Sequence, residues 1–179
     1  MATETHSYTI ALARPSDIPL LPQIELAAAR LFEGYGPEWL LTETTSVETL
    51  RRAENAGLLW VALSDDVAVG FADVELIEPG SAHLEELDVH PDHMRRGLGS
   101  SLVITVCDWA ASQGYGAVTL NTARDVAWNM PFYARLGFEV VSPSELTPAL
   151  RAVLEDERRR GLDSSRRVVM RRPCAAALR

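Results

Sequence analysis

The sequence predicts an α/β (α+β) protein, a single domain over 1–179, and three observations carry that prediction. First, His83 to Leu102 (HLEELDVHPDHMRRGLGSSL) passes from an extended run, through a glycine-containing turn, into a helix. Second, Asn129 to Val141 (NMPFYARLGFEVV) gives a short helix opened by Pro131, a stop at Gly137 and a strand from Phe138. Third, the rest of the chain switches between period-two and helical spacing of apolar residues, with turn residues at each change.

In chain order, Tyr8 to Arg14 reads as a strand. Pro15-Ser16-Asp17 supplies a cap and an early acid for a helix reaching about Phe32. Glu33 to Pro37 breaks it. A second helix follows Thr45, with Glu48 three residues later as a capping box, and stops at Gly57. Leu58–Leu63 and Val67–Leu76 are strands of a hairpin about Asp65-Asp66, and Pro79-Gly80 turns into the strand Ala82–Val89. Pro91 ends that strand, since it cannot donate to a ladder. Leu98, Leu102, Val106, Trp109 and Ala110 recur at helical spacing, so a long helix is expected from about Ser100 to Gly114. Ala117–Thr122 is the next strand. After the short helix and the strand Phe138–Val141 come a helix over Ser144–Arg160 and a final strand over Arg166–Arg171.

Composition narrows the classes. The chain is 47% hydrophobic with no apolar run near 18 residues, which argues for a packed core and against a membrane span. The N-terminus lacks a basic region followed by an apolar block, so no signal peptide is expected. Two cysteines, Cys107 and Cys174, make no disulfide framework and fit a cytoplasmic protein. Net charge is −8, unevenly spread: 8 Arg face 21 acidic residues in 1–150, and 9 face 4 in 151–179. An acidic body argues against nucleic acid as a partner and favours a cationic substrate. The Arg-rich end reads as a solvated helix and an edge strand, with nucleic-acid contact as the rival role. There is no lysine; all 17 basic residues are Arg.

A strand, a glycine turn and a helix N-terminus together make an anion cradle. The first-turn N–H groups have no intrahelical partner and lie at the positive end of the helix dipole. Glycine lets backbone approach a diphosphate without a Cβ in the way. A dinucleotide fingerprint would need a third Gly where Leu102 stands.

VHPDHMRRGLG resembles the acetyl-CoA-binding motif of the GNAT superfamily of N-acetyltransferases, Q/R-x-x-G-x-G/A after a strand. NMPFYARLGF is similar to the superfamily's second motif, N-x-x-x-x-Y-x-x-x-G-F, at the expected separation. The resemblance implies a GNAT fold: a central mixed, mostly antiparallel sheet of about six or seven strands flanked by helices. It implies acetyl-CoA as co-substrate, no metal, and transfer of acetyl to a primary amine by direct attack in a ternary complex. Met94 departs from the family's leading Gln or Arg, so any side-chain contact with phosphate from that position is lost; Arg95 and Arg96 are placed to compensate.

Carried onto this sequence, the pyrophosphate falls to the amides of Arg95, Arg96, Gly97, Leu98, Gly99 and Ser100. The pantetheine arm falls to backbone groups of Leu87 and Val89, acting like an added strand, and to Asn129. Asn129 also has a capping role open to it. Tyr133 matches the tyrosine whose hydroxyl reaches the coenzyme sulfur as general acid; the rival role is a core tyrosine beside Phe132 and Phe138.

The base is sought on the strand before the glycine turn, because an alkyl ammonium of pKa about 10.4 must lose a proton before it can attack. Alternation places His83, Glu85, Leu87 and Val89 on one side and Leu84, Glu86 and Asp88 on the other, unless a bulge shifts them. AHLEELDVH is similar to the arylalkylamine branch of the superfamily, in which two histidines lead to a relay water. The matching positions are His83 and Glu85, with Glu86 in reserve. The acceptor region implied is 32–44, with Tyr35 and Trp39, and the loop 124–128; Glu33, Glu38 or Glu43 could attract a cation. The acceptor itself stays open between a small-molecule amine and a peptide or protein amine, and a homodimer is in keeping with the superfamily. The alternative function is an acyl-CoA-binding sensor without turnover.

Overall fold

In a computed structural model of the chain, residues 7–174 are described, and they build one seven-stranded sheet. Its strands are β1 (Tyr8–Leu12), β2 (Leu59–Ser64), β3 (Val67–Glu78), β4 (Ser81–Val89), β5 (Ala117–Ala123), β6 (Glu139–Val140) and β7 (Arg167–Pro173), in the order β1-β2-β3-β4-β5-β7-β6. All neighbours are antiparallel except β4 and β5. The helices are α1 (Leu21–Ala29), α2 (Val47–Asn55), α3 (Leu98–Ser112), α4 (Asn129–Arg135) and α5 (Pro148–Arg159). This is the mixed, mostly antiparallel architecture expected. No helix among the described residues is long and apolar enough to cross a membrane.

Each face of the sheet buries its own core. Leu102, Val103 and Val106 of α3 are fully buried against Ala72, Val74, Leu84, Val118 and Leu120. Burial of a side chain such as Leu102 contributes about 1.5–3 kcal/mol. On the opposite face Ile18, Leu21, Ile24 and Leu50 pack on Leu59, Val61 and Phe71. A smaller cluster of Val141, Leu150 and Val169 seats α5.

Several expectations shift locally. The first helix is split into 3₁₀ turns at Ile18–Leu20 and Arg30–Phe32 around a shorter α1. Asp17 folds back instead, taking Arg14 N–H at 2.8 Å and pairing with its guanidinium. The cap of α2 is Ser46, accepting from Thr49 N–H at 3.1 Å, and not Thr45. α3 begins at Leu98, two residues before the predicted start, and α5 at Pro148, four residues after it. The β2–β3 turn holds Asp65 and Asp66 at φ 48° and 69°, the two left-handed residues of a tight hairpin.

Two irregularities of β4 position the site. The ladder with β3 passes from Val74↔Leu84 to Asp73↔Glu86, which leaves Glu85 as the extra residue of a bulge. The predicted alternation is therefore corrected. Leu84, Leu87 and Val89 turn to the α3 core, while Glu86 and Asp88 share the other face with Asp73. Second, β4 pairs with β5 only from Ser81↔Ala117 to Leu84↔Leu120; beyond Leu84 the strands part.

Candidate active site

The parting of β4 and β5 opens into a cavity of about 750 Å³ on the face that carries α1, α2 and α5. Its floor is the acidic run of β3 and β4, with Asp73, Glu75, Glu85, Glu86 and Asp88. Its walls come from the segment before α2 (Tyr35, Trp39, Glu43, Thr45), from Asn121 on β5, and from the α5–β7 region (Glu157, Arg160, Arg166, Arg167). Tyr133 lines it too, although α4 packs against the α3-side core, so the gap between the strands is where the two faces meet.

The wall before α2 is pinned at both ends. Glu25 on α1 accepts Thr45 N–H at 2.9 Å and the Thr45 hydroxyl at 3.3 Å. Trp39 donates its indole N–H to Arg160 C=O at 2.7 Å, and the Arg160 guanidinium lies 4.1 Å over its ring. Trp128 packs at 6.2 Å from Phe32 and 5.8 Å from Tyr35. The expected aromatics therefore frame the cavity, and Trp39 also has a structural partner in Arg160. Glu43 lines the cavity; Glu33 and Glu38 are outside its lining.

Of the expected base residues, His83 is 1% exposed, with Nδ1 at 2.9 Å from the Thr119 hydroxyl. Burial pulls it down to about 4, so it is neutral near pH 7. Its Nε2 lies 3.7 Å from Glu85 Oε2. The bulge brings Glu85 to the cavity, where loss of hydration and the charges of Glu75 and Glu157 push it up to about 7. Glu86 is raised by burial and by Glu25 and Glu85; Asp88 by burial and by Glu86. Asp73 is pushed up to about 7, chiefly by burial and then by Glu75. The Tyr133 phenol is also raised, by burial first and by Glu86 and Asp88 next, so it keeps its proton at neutral pH.

Asp73, Asp88 and Glu25 went unnoticed as site residues in the sequence. The only signal was an acid inside the apolar run of β3, VAVGFADV. Asp73 Oδ1, Asp88 Oδ2 and both polar atoms of the Asn121 amide are buried without a hydrogen-bond partner.

The phosphate-cradle residues gather at the start of α3. Arg95 and Gly97 hold φ of 60° and 81°, which aims the chain into a helix whose first N–H groups belong to Leu98, Gly99 and Ser100. The first backbone bond of that turn is Ser101 N–H to Gly97 C=O at 2.9 Å. A Cβ on Gly99 would come within 3.5 Å of Phe132, which sits beside Tyr133 at a ring distance of 4.9 Å. The Arg96 guanidinium lies 5.6 Å from the Tyr8 ring centroid. His90 N–H donates to Val69 C=O at 2.8 Å, so alternation turns the backbone groups of Leu87 and Val89 the other way, to the edge that β5 leaves free. Asn129 opens α4 and lines the cavity beside Tyr133. No group of three His, Cys, Asp or Glu among the described residues is arranged to hold a metal ion.

A strand edge open at the parting, a helix N-terminus beside it and the half-buried Tyr133 lining the gap fit the expected class, and the comparisons show it. Residues 27–138 match the model of the acetyltransferase (GNAT) family, and the chain belongs to that family. It is 28% identical over 138 residues to human N-acetyltransferase 8, covering 74% of this chain and 61% of that protein. It is 29% identical over 154 residues to the probable N-acetyltransferase camello of Xenopus tropicalis, covering 82% of this chain and 66% of that one. The chain thus spans between about three fifths and two thirds of these relatives' length. Among solved structures, the PaiA N-acetyltransferase of Thermoplasma acidophilum in complex with coenzyme A superposes with a TM-score of 0.72 at 17% identity, over 93% of this chain and 99% of that one. The N-acetylglutamate synthase of Neisseria gonorrhoeae, with coenzyme A and N-acetylglutamate, gives 0.70 at 21% identity, over 97% of this chain and 36% of that one.

Proposed function

We propose that this protein transfers the acetyl group of acetyl-CoA to a primary amine bound in the acidic cavity. The carrying observation is the convergence of the free edge of β4, the N-terminus of α3 and the Tyr133 phenol at one parting of the sheet. Coenzyme A complexes of similarly folded proteins support the choice of co-substrate.

The diphosphate lies on the N–H groups of Leu98, Gly99 and Ser100, joined by those of Arg95, Arg96 and Gly97. The pantetheine amides pair with Leu87 and Val89, with Asn129 beside the arm, and extend β4 where β5 has left it. This brings the thioester to Tyr133. Glu85, held near neutrality by its surroundings, takes the proton of the ammonium; Glu86 lies next to it on the cavity side. The freed nitrogen attacks the thioester carbonyl and forms a C–N bond. The C–S bond then breaks, the leaving sulfur takes the Tyr133 proton, and the surplus proton on the new amide nitrogen returns to the Tyr133 oxygen. His83 lies behind Glu85, neutral and 3.7 Å from it.

The test is thiol release from acetyl-CoA on mixing with a panel of primary amines. Tyr133→Phe removes the proton donor and is expected to lower kcat by about 10²–10⁴-fold with little change in the KM for acetyl-CoA. A variant as fast as the wild type overturns the role of Tyr133. Saturable coenzyme A binding without thiol release from any amine would make the protein a sensor.

A further inference from the structure

We propose that the cavity takes a small amine bearing at least two positive charges, one nitrogen at the Glu85–Glu86 end and another on Asp73 and its neighbours. As a statement about the acceptor, this rests on the acetyl-transfer reading above.

The carboxyls around the cavity fall into two groups. Those on the wall already have partners: Asp125 pairs with Arg166 at 2.6 Å, Glu157 with Arg167 at 2.6 Å, Glu43 with Arg160 at 3.8 Å, and Glu25 holds Thr45. Those on the floor lack a cation: Glu85 has the neutral His83 at 3.7 Å, and Glu86 takes Leu87 N–H at 3.3 Å. Among the described residues none of Asp73, Glu75, Glu85, Glu86 and Asp88 has an arginine within ion-pair distance, and the sequence offers no lysine. Asp73 and Asp88 are 2% and 8% exposed, both line the cavity, and one carboxyl oxygen of each is buried without a hydrogen-bond partner. A carboxylate oxygen left so is costly unless a bound donor completes it.

The floor is also spaced for a chain of amines. Asp73 and Glu75 stand two residues apart on one strand face, about 6.5–7 Å. Asp73 and Glu86 are directly opposed across the ladder, with Cβ atoms about 5 Å apart. Nitrogens separated by three or four methylenes lie about 5–6 Å apart when extended. A single ammonium can offset the charge of one floor acid, whereas a second positive charge along the floor lets another ionise beside it. The acids are spread over two neighbouring strands, β3 and β4, a spacing that suits an extended polycation.

The experiment compares propylamine, 1,3-diaminopropane, 1,4-diaminobutane, spermidine, kanamycin and a lysine-containing peptide as acceptors, by thiol release. In parallel, calorimetry measures binding of propylamine and spermidine to the protein saturated with coenzyme A. The diamines or spermidine should exceed propylamine in kcat/KM by about tenfold or more, the difference falling as salt is raised. Asp73→Asn should shrink that ratio through the KM of the diamine. Preference for kanamycin over the linear amines would keep the two-charge requirement and place it on a cyclic scaffold. Propylamine or the peptide matching the diamines, with equal calorimetric affinities, overturns the proposal while leaving acetyl transfer intact. Tight spermidine binding without thiol release from any acceptor upholds the cation site and removes the acetyl-transfer reading. The wild-type comparison decides even if Asp73→Asn fails to fold.

Discussion

Glu85 and His83 stand 3.7 Å apart, yet their surroundings separate their roles. The ring is sealed against Thr119 and held neutral, while the carboxylate stands at the cavity and titrates near neutrality. A base must be ionised to accept a proton, so a raised value places the loss of activity on the acid side. With Glu85 as base, kcat/KM should rise with pH through about 7 and level off above it. Glu85→Gln should lower kcat/KM by about 10²-fold or more and abolish that limb. Glu86→Gln retaining the limb, and Glu85→Gln losing it, would assign the proton transfer between neighbours. Local sequence could not separate this pair. The bulge that aims both residues is set by where β4 pairs with Asp73 and Val74, ten or more positions upstream. The same holds for Asp73 and Glu25, which meet the site only through the folded sheet and α1. Tyr133 and Asn129 were legible because their spacing to Gly137 lies within one helix and its stop.

At the scale of elements, the glycine turn was readable for a local reason: a positive φ and an unpaired helix start are encoded within a few residues. Gly97 sits at φ 81°, so Gly97→Ala should cost about 1–2 kcal/mol of stability and weaken coenzyme A binding as the first N–H groups swing away. Urea denaturation and calorimetry check the two effects separately. The cap of α2 gives a contrasting case. Thr45 and Ser46 are both plausible caps from composition, but Glu25 claims Thr45 from another helix and leaves Ser46 to bind Thr49 N–H. Ser46→Ala should therefore cost about 1 kcal/mol. Removing the Thr45 hydroxyl should loosen the wall of the cavity more than α2 itself.

Over the whole molecule, the acidic floor and the buried histidine set opposite pH limits. Asp73 and Glu85 have folded values near 7, above those of the unfolded chain. Their contribution is full below about pH 4 and lost as pH rises through about 7. His83 is depressed to about 4, so its contribution is full above about pH 6.5 and lost as pH falls toward 4. Between about pH 4.5 and 6.5 the two carboxyls outweigh the one histidine, so without ligand Tm should fall from about pH 4.5 toward pH 8, most steeply above about 6.5 where the histidine no longer offsets them. Asp73→Asn should flatten the fall on the alkaline side. Thermal scans across pH decide this, and a Tm rising steadily to pH 8 would contradict it.

The sheet is stitched across its middle by only four residue pairs, from Ser81↔Ala117 to Leu84↔Leu120. A coenzyme lying along the unzipped part would behave as a missing strand, joining β1–β4 to β5–β7 from within. Amide hydrogens of Leu87 and Val89 should then exchange quickly in the empty protein and slowly once it is loaded, while those of β2, paired on both sides, barely change.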